Sequence, residues 1–251
     1  MIYFIGAGPG AVDLITVRGR KLLEQADIIV YAGSLVNPEL LKYARADCQM
    51  LNSAKMTLEQ VIEVMVPPAR KNQTVVRLHT GDPSIYGAIR EQMDLLDGYK
   101  LKYEVVPGVS SFCAAAAALK AEFTLPEVSQ TVIITRMEGR TPVPPKEEIS
   151  LLAAHQATMS IFLSTGLLEK LSSRLIEGGY AEDSPAAIVY KASWPDEKVF
   201  RCTIGTLVQT AAENKITKTA LILVGGFLGN DYERSKLYDP SFTHEFREAS
   251  E

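Results

Sequence analysis

An apolar, β-branched run that stops at a glycine turn constrains this chain more than any other feature. Thr74-Val75-Val76-Arg77-Leu78 reads as a strand and runs through His79 into Thr80-Gly81-Asp82-Pro83-Ser84. Ile85, Ile89, Met93 and Leu96 then recur at helical spacing. The stretch predicts a strand, a tight turn and a helix, with Pro83 and Ser84 at the first helical positions. Gly81 supplies a turn conformation or a close backbone approach that a side chain would block. In an open parallel sheet, the loop leaving the carboxyl end of a strand is where ligands bind.

The same rhythm runs through the chain. Ile2-Tyr3-Phe4-Ile5 predicts a buried strand entering Gly6-Ala7-Gly8-Pro9-Gly10, and Thr16 caps a helix that leads to a second strand, Ile28 to Tyr31. Pro38 opens a short helix, residues 48–51 form a weak strand, and Thr57 caps a helix carrying Leu58, Val61, Ile62 and Met65. Strand 103–106 enters Pro107-Gly108-Val109-Ser110-Ser111 and a helix with five consecutive alanines. The pattern pauses at residues 118–128, which divides the chain into an N-terminal α/β domain (1–120), a C-terminal α/β domain (121–230) and a polar, loose tail (231–251).

In the second domain, residues 131–135 and 160–163 read as strands, the latter ending in Ser164-Thr165-Gly166 before a helix to Glu177. Residues 186–190 and 199–203 flank a hairpin loop with a Pro195-Asp196 turn. A short helix, 206–212, leads to a last strand, 220–224. The fold class expected is α/β, two α/β domains in series with a cofactor cleft between them, the second with a mixed sheet.

Composition excludes several classes of function. A net charge of −4 gives no basic field for nucleic acid, and no apolar run approaches the roughly 18 residues that span a bilayer. The N-terminus carries no basic lead or cleavage site, and three scattered cysteines fit a reducing cytoplasm. The three histidines lack metal-ligand spacing, so no metal site is expected, and no serine sits in a nucleophile elbow. A nicotinamide site is disfavoured because Pro9 removes a donor from the glycine loop and Tyr31-Ala32-Gly33-Ser34 stands where a ribose-binding acid belongs. Glycine-rich loops with few acid–base groups suit a reaction whose reactants carry their own reactivity. Methyl transfer from a sulfonium is one such reaction.

Three strings sharpen this. GAGPG (6–10), TGDPSIYGAI (80–89) and VVPGVSSFCAAAAA (105–118) stand in the order found in the tetrapyrrole (corrin/porphyrin) methyltransferases, which the chain resembles over about residues 1–228. YAGSLV (31–36), LPEVSQTVIITR (125–136), TRMEGRTPVP (135–144) and VYKASWPDEK (189–198) resemble the branch that works on a precorrin ring in cobalamin synthesis. The resemblance implies a homodimer with S-adenosylmethionine in the interdomain cleft and S-adenosylhomocysteine as product. It gives the amino-acid and ribose parts of the cofactor to Thr80, Gly81 and Asp82, with Ser110 and Ser111 beside them. Thr165, Ala187, Thr219 and Ala220 would enclose the adenosine. Gly6, Gly8, Pro9 and Gly10 would line the substrate trough, and no protein group acts as nucleophile. The family commonly has an aspartate after Gly10, where this chain has Ala11.

The implied substrate is a flat macrocycle bearing several carboxylates, with any cobalt carried by the ring. On an acidic protein it needs local cations. Arg136, Arg140 and Lys191 lie on the branch-specific loops and are the candidates, with Tyr31 and Trp194 available to flank the ring.

Overall fold

A computed structural model describes residues 1–250. The chain divides into two compact units, residues 1–114 with 191–197, and residues 115–190 with 198–251.

The first unit is a five-stranded, wholly parallel sheet. In chain order its elements are β1 (Ile2–Gly6), α1 (Val17–Gln25), β2 (Ile28–Tyr31), β3 (Gln49–Asn52), α2 (Leu58–Arg70), β4 (Val75–His79), α3 (Ile89–Gly98), β5 (Tyr103–Val106) and the start of α4 (Ser111–Leu119). Strand order is β3-β2-β4-β1-β5. Side-chain alternation along each strand divides the core in two. Ile2, Phe4, Ile28, Val30 and Val75 pack with Val61, Ile62 and Met65 of α2 and Leu96 of α3. Ile5, Ile29, Val76 and Leu78 pack on the opposite face with Leu23 of α1 and Leu40. Both expected caps form. Thr16 accepts from the Gly19 amide, and Thr57 and Gln60 make a reciprocal capping box.

One expectation fails. Pro83 and Ser84 do not begin a helix, because residues 83–86 form a turn and α3 starts only at Ile89. Tyr86 and Ala88 both take left-handed φ values, 55° and 49°. Gly87 lies so tightly under the turn that a Cβ there would fall 2.1 Å from the Pro83 carbonyl oxygen. The chain thus makes a compact loop before the helix geometry can start.

The second unit holds β6 (Val132–Arg136), α5 (Ile149–Ala153), β7 (Thr158–Phe162), α6 (Leu168–Glu177), β8 (Pro185–Tyr190), β9 (Lys198–Thr203), α7 (Leu207–Glu213) and β10 (Ala220–Val224). Its sheet, ordered β6-β7-β10-β8-β9, is mixed: β6 and β7 are parallel and the other neighbours antiparallel. β7 begins two residues earlier than its apolar run suggests, since Thr158 is buried and its hydroxyl donates to the Phe123 carbonyl. The polar tail is exposed along nearly its whole length and makes hydrogen bonds within itself. The Arg247 guanidinium donates to the carbonyls of Leu237, Asp239 and Phe242, and His244 and Arg247 exchange backbone hydrogen bonds.

Candidate functional site

Three glycines meet at the carboxyl ends of the adjacent strands β4, β1 and β5. A Cβ on Gly6 would lie 2.5 Å from the Gly81 carbonyl oxygen and 2.6 Å from the Gly108 Cα. A Cβ on Gly108 would lie 2.3 Å from that same oxygen. The β1–β4 pairing continues past the strands, with Ala7 N–H donating to the His79 carbonyl at 2.7 Å and Gly8 and Gly81 exchanging backbone bonds at 3.2 and 2.8 Å. Gly81 turns the chain here at φ +59°. Backbone is therefore laid against backbone where the βα loops emerge, and glycine is required for that approach.

Asp82 fastens two of these loops. One carboxylate oxygen accepts from the Ser84 amide at 2.8 Å and from the Ser84 hydroxyl, and the other accepts from the Gly108 amide at 2.9 Å. Burial alone would raise this carboxyl, but the bonds from Ser84 and Gly108 outweigh it and hold it below the ordinary aspartate range. Gly81 also faces Ser110 and Ser111, for a Cβ on it would stand 3.7 Å from Ser110 Cα and 3.7 Å from Ser111 N. Ser110 is buried, and its carbonyl accepts from the Cys113 and Ala114 amides as α4 begins. So Thr80, Gly81, Asp82, Ser110 and Ser111 stand together, around the amino end of a helix that offers backbone donors.

The N-terminal glycine loop has its own cover. Trp194 Nε1 donates to the Pro9 carbonyl at 3.0 Å. Its ring fills the space a Gly10 side chain would take, since a Cβ on Gly10 would fall 2.1 Å from the indole Cδ1. Ser193 Oγ accepts from the Ala11 amide at 3.0 Å, and Asn37 donates to the Gly10 carbonyl at 2.8 Å. Asp13 is exposed on the short turn that follows. Tyr31 packs against the α1-side core, with its carbonyl accepting from the Ser53 hydroxyl.

The three candidate cations differ. Lys191 is paired with Asp196 at 2.6 Å and stands 5.5 Å from the Trp194 ring centroid. Arg136 donates to the carbonyls of Met137, Thr141 and Pro142, which shapes its own loop. Arg140 is exposed at the tip of that loop. In the second unit the Thr165 hydroxyl donates to the Ala220 carbonyl at 3.1 Å, and Thr219, at φ 59°, immediately precedes Ala220. Ala187 is not with them. It pairs with Leu223, three positions along the ladder from the Ala220–Tyr190 pair, or about 10 Å.

Sequence reasoning gave no role to the polar residues inside β4. Arg77 and His79, 6% and 4% exposed, lie on the α2–α3 side of the sheet. Burial lowers the Arg77 guanidinium to about 10, and burial plus Arg77 lowers the His79 imidazole to about 3. His79 is therefore neutral, and its Nε2 has no partner among the described residues. The signal was available: charged and polar types at alternate positions of an otherwise apolar central strand. Among the described residues no three His, Cys, Asp or Glu side chains gather as a metal site, and no helix is long and apolar enough to cross a membrane.

Comparison with known proteins agrees with this architecture. The sequence profile of the Tetrapyrrole (Corrin/Porphyrin) Methylases matches residues 1–208. A cobalt-precorrin-4 C(11)-methyltransferase of Methanocaldococcus jannaschii is 54% identical, covering 99% of this chain and 96% of that protein. A precorrin-4 C(11)-methyltransferase of Pseudomonas aeruginosa is 44% identical, covering 98% of each. The X-ray structure of a cobalt precorrin-4 methyltransferase superimposes with a TM-score of 0.89 at 49% identity, covering 91% of this chain and 96% of that one.

Proposed function

We propose that this chain, which belongs to the tetrapyrrole (corrin/porphyrin) methylases, methylates carbon 11 of a cobalt-carrying precorrin-4 ring, with S-adenosylmethionine as methyl donor. The observation that carries the substrate is likeness along nearly the whole chain, greater toward the cobalt-precorrin-4 relative than toward the precorrin-4 one. When bound, that cofactor supplies a methyl group already activated on a positive sulfur and leaves as S-adenosylhomocysteine.

The residues present suit it. The cluster around Asp82 carries hydroxyls, amide donors and one carboxylate, whose negative charge favours a sulfonium. Thr80, Gly81 and Asp82, with Ser110 and Ser111, would hold its amino-acid and ribose parts. Thr165, Thr219 and Ala220 would serve the adenosine. Gly6 to Gly10, with Tyr31, would receive the ring, and Arg136, Arg140 and Lys191 its carboxylates. Of the three cations, Arg140 is the most exposed to solvent and the readiest to take one. Positioning carries the rate, since no side chain in the cluster serves as nucleophile. The working form is a cytoplasmic homodimer.

The test is anaerobic incubation with S-adenosylmethionine and precorrin-4, with and without cobalt, read by mass spectrometry and by NMR of the methylated carbon. One methyl added at carbon 11 of the cobalt ring is expected. A methyl at another carbon, or turnover of the metal-free ring alone, overturns the substrate assignment. Calorimetric titration with S-adenosylhomocysteine and, separately, a reduced nicotinamide checks the cofactor.

A further inference from the structure

The loop that carries Thr80-Gly81-Asp82 ends at Ala88, an alanine in left-handed conformation at the amino end of α3, with no side-chain cap of its own. Such a residue is strained unless its surroundings hold it. A buried polar chain meets it. Gln92, 5% exposed on the first turns of α3, donates from Nε2 to the Ala88 carbonyl at 3.0 Å. Its Oε1 accepts from Arg77 Nε at 3.1 Å, and Arg77 NH1 donates to the Val30 carbonyl of β2 at 3.2 Å.

Each link fixes the next. Arg77 is anchored to the sheet by a carbonyl of the neighbouring strand. Its Nε is donor only, so the Gln92 amide must present oxygen to it and nitrogen to Ala88. Arg77 and Ala88 bracket the whole turn, one just before it in β4 and the other at its end. Arg77 has no carboxylate partner among the described residues, and stability alone gives no reason to place an uncompensated guanidinium in a core.

We infer that Gln92 and Arg77 are positioning residues for the methyl-transfer reaction, locking the 80–88 loop in the form that receives the cofactor. This rests on the assignment of that loop to S-adenosylmethionine. The variants that test it are Gln92→Glu, which keeps an acceptor for Arg77 but cannot donate to Ala88, and Gln92→Met, which keeps the bulk and introduces no buried charge. Amide exchange is measured on unliganded protein, S-adenosylhomocysteine affinity by calorimetry, and unfolding by thermal melt. The expected result is faster exchange confined to residues 84–88 and affinity about tenfold weaker, with the Gln92→Glu melt close to the parent's. If Gln92→Glu does not fold, Gln92→Met carries the comparison alone. A parent that binds while the variants bind within twofold of it overturns the inference and leaves the proposed function standing. A parent that does not bind overturns the cofactor assignment, and unchanged exchange over 84–88 then overturns the positioning role independently.

Discussion

The Asp82 carboxylate accepts from the Gly108 amide at 2.9 Å, which ties the loop after β4 to the loop after β5 across the strand between them. The same carboxylate closes the turn on Ser84. One side chain thus sets the spacing of both loops assigned to the cofactor. Asp82→Ala leaves the two amides without their acceptor, at about 1.5–3 kcal/mol for each charge-assisted bond. Asp82→Asn keeps one acceptor oxygen and turns an amide toward the other donor. Affinity for S-adenosylhomocysteine should fall in the order parent, Asn, Ala, with at least tenfold lost in the alanine variant. Equal affinity for all three proteins would show that the clasp is not part of the cofactor site.

Glycine at 108 is required by contact rather than by dihedral angle. Gly108→Ala puts a methyl 2.3 Å from the Gly81 oxygen and 2.7 Å from the Gly6 Cα, both backbone. Nothing there can rotate away, so the loops must part. We expect a loss of about 3 kcal/mol or more in denaturant unfolding. Gly98→Ala is the control. It lies at the end of α3 with nothing within 4 Å of the new methyl and should be neutral or stabilising by up to about 1 kcal/mol. Similar losses in the two variants would contradict the close approach.

Much of this fold was legible because it is local. The strands 28–31, 103–106 and 220–224 fall where their apolar runs end, and the Thr16 and Thr57 caps depend only on residues three positions ahead. The start of α3 was not legible, because nothing in tyrosine or alanine announces the left-handed φ of Tyr86 and Ala88. The Lys191–Glu197 loop groups with residues far away in sequence, and this brings Trp194 onto Gly10 instead of leaving it open. Arg136 resembles a free cation in sequence, and only the path of its loop shows three carbonyls gathered around it. Asp82, Gly81 and the two serines could be chosen as a site from motif order. Their mutual contacts could not, since they depend on strand order.

Trp194 is the only tryptophan in the chain, so its emission reports on the glycine loop alone. Gly10→Ala places a methyl inside the indole, which must leave its seat against Pro9. The emission should shift to the red as the ring becomes hydrated, and KM for the tetrapyrrole should rise. Trp194→Phe keeps most of the cover but loses the Nε1 bond, at about 1 kcal/mol of stability. An unshifted spectrum in Gly10→Ala would mean that the indole does not rest on that glycine.

His79 should give the protein a distinctive acid response. Unfolded, its imidazole titrates near the ordinary value of about 6.5. Folded, it is lowered to about 3 by burial and by Arg77. Between those values the unfolded chain binds a proton that the native chain refuses, so stability is complete above about pH 6.5 and declines as pH falls toward 3. From pH 6.5 to 4.5 the loss from this one group is about 2 kcal/mol. The carboxyls held below their ordinary values, Asp27, Asp82 and Glu148 among them, add most of their losses at still lower pH, where their unfolded forms take up protons. His79→Leu removes the titration and leaves an apolar side chain beside Phe4, whose ring centroid lies 6.0 Å from that of the imidazole. Urea melts at pH 6.5, 5.5 and 4.5 should slope downward for the parent and run nearly flat for the variant. The same slope in both would place the titrating group elsewhere. A flat parent would mean that water reaches Nε2 and stabilises the charged imidazole in the fold.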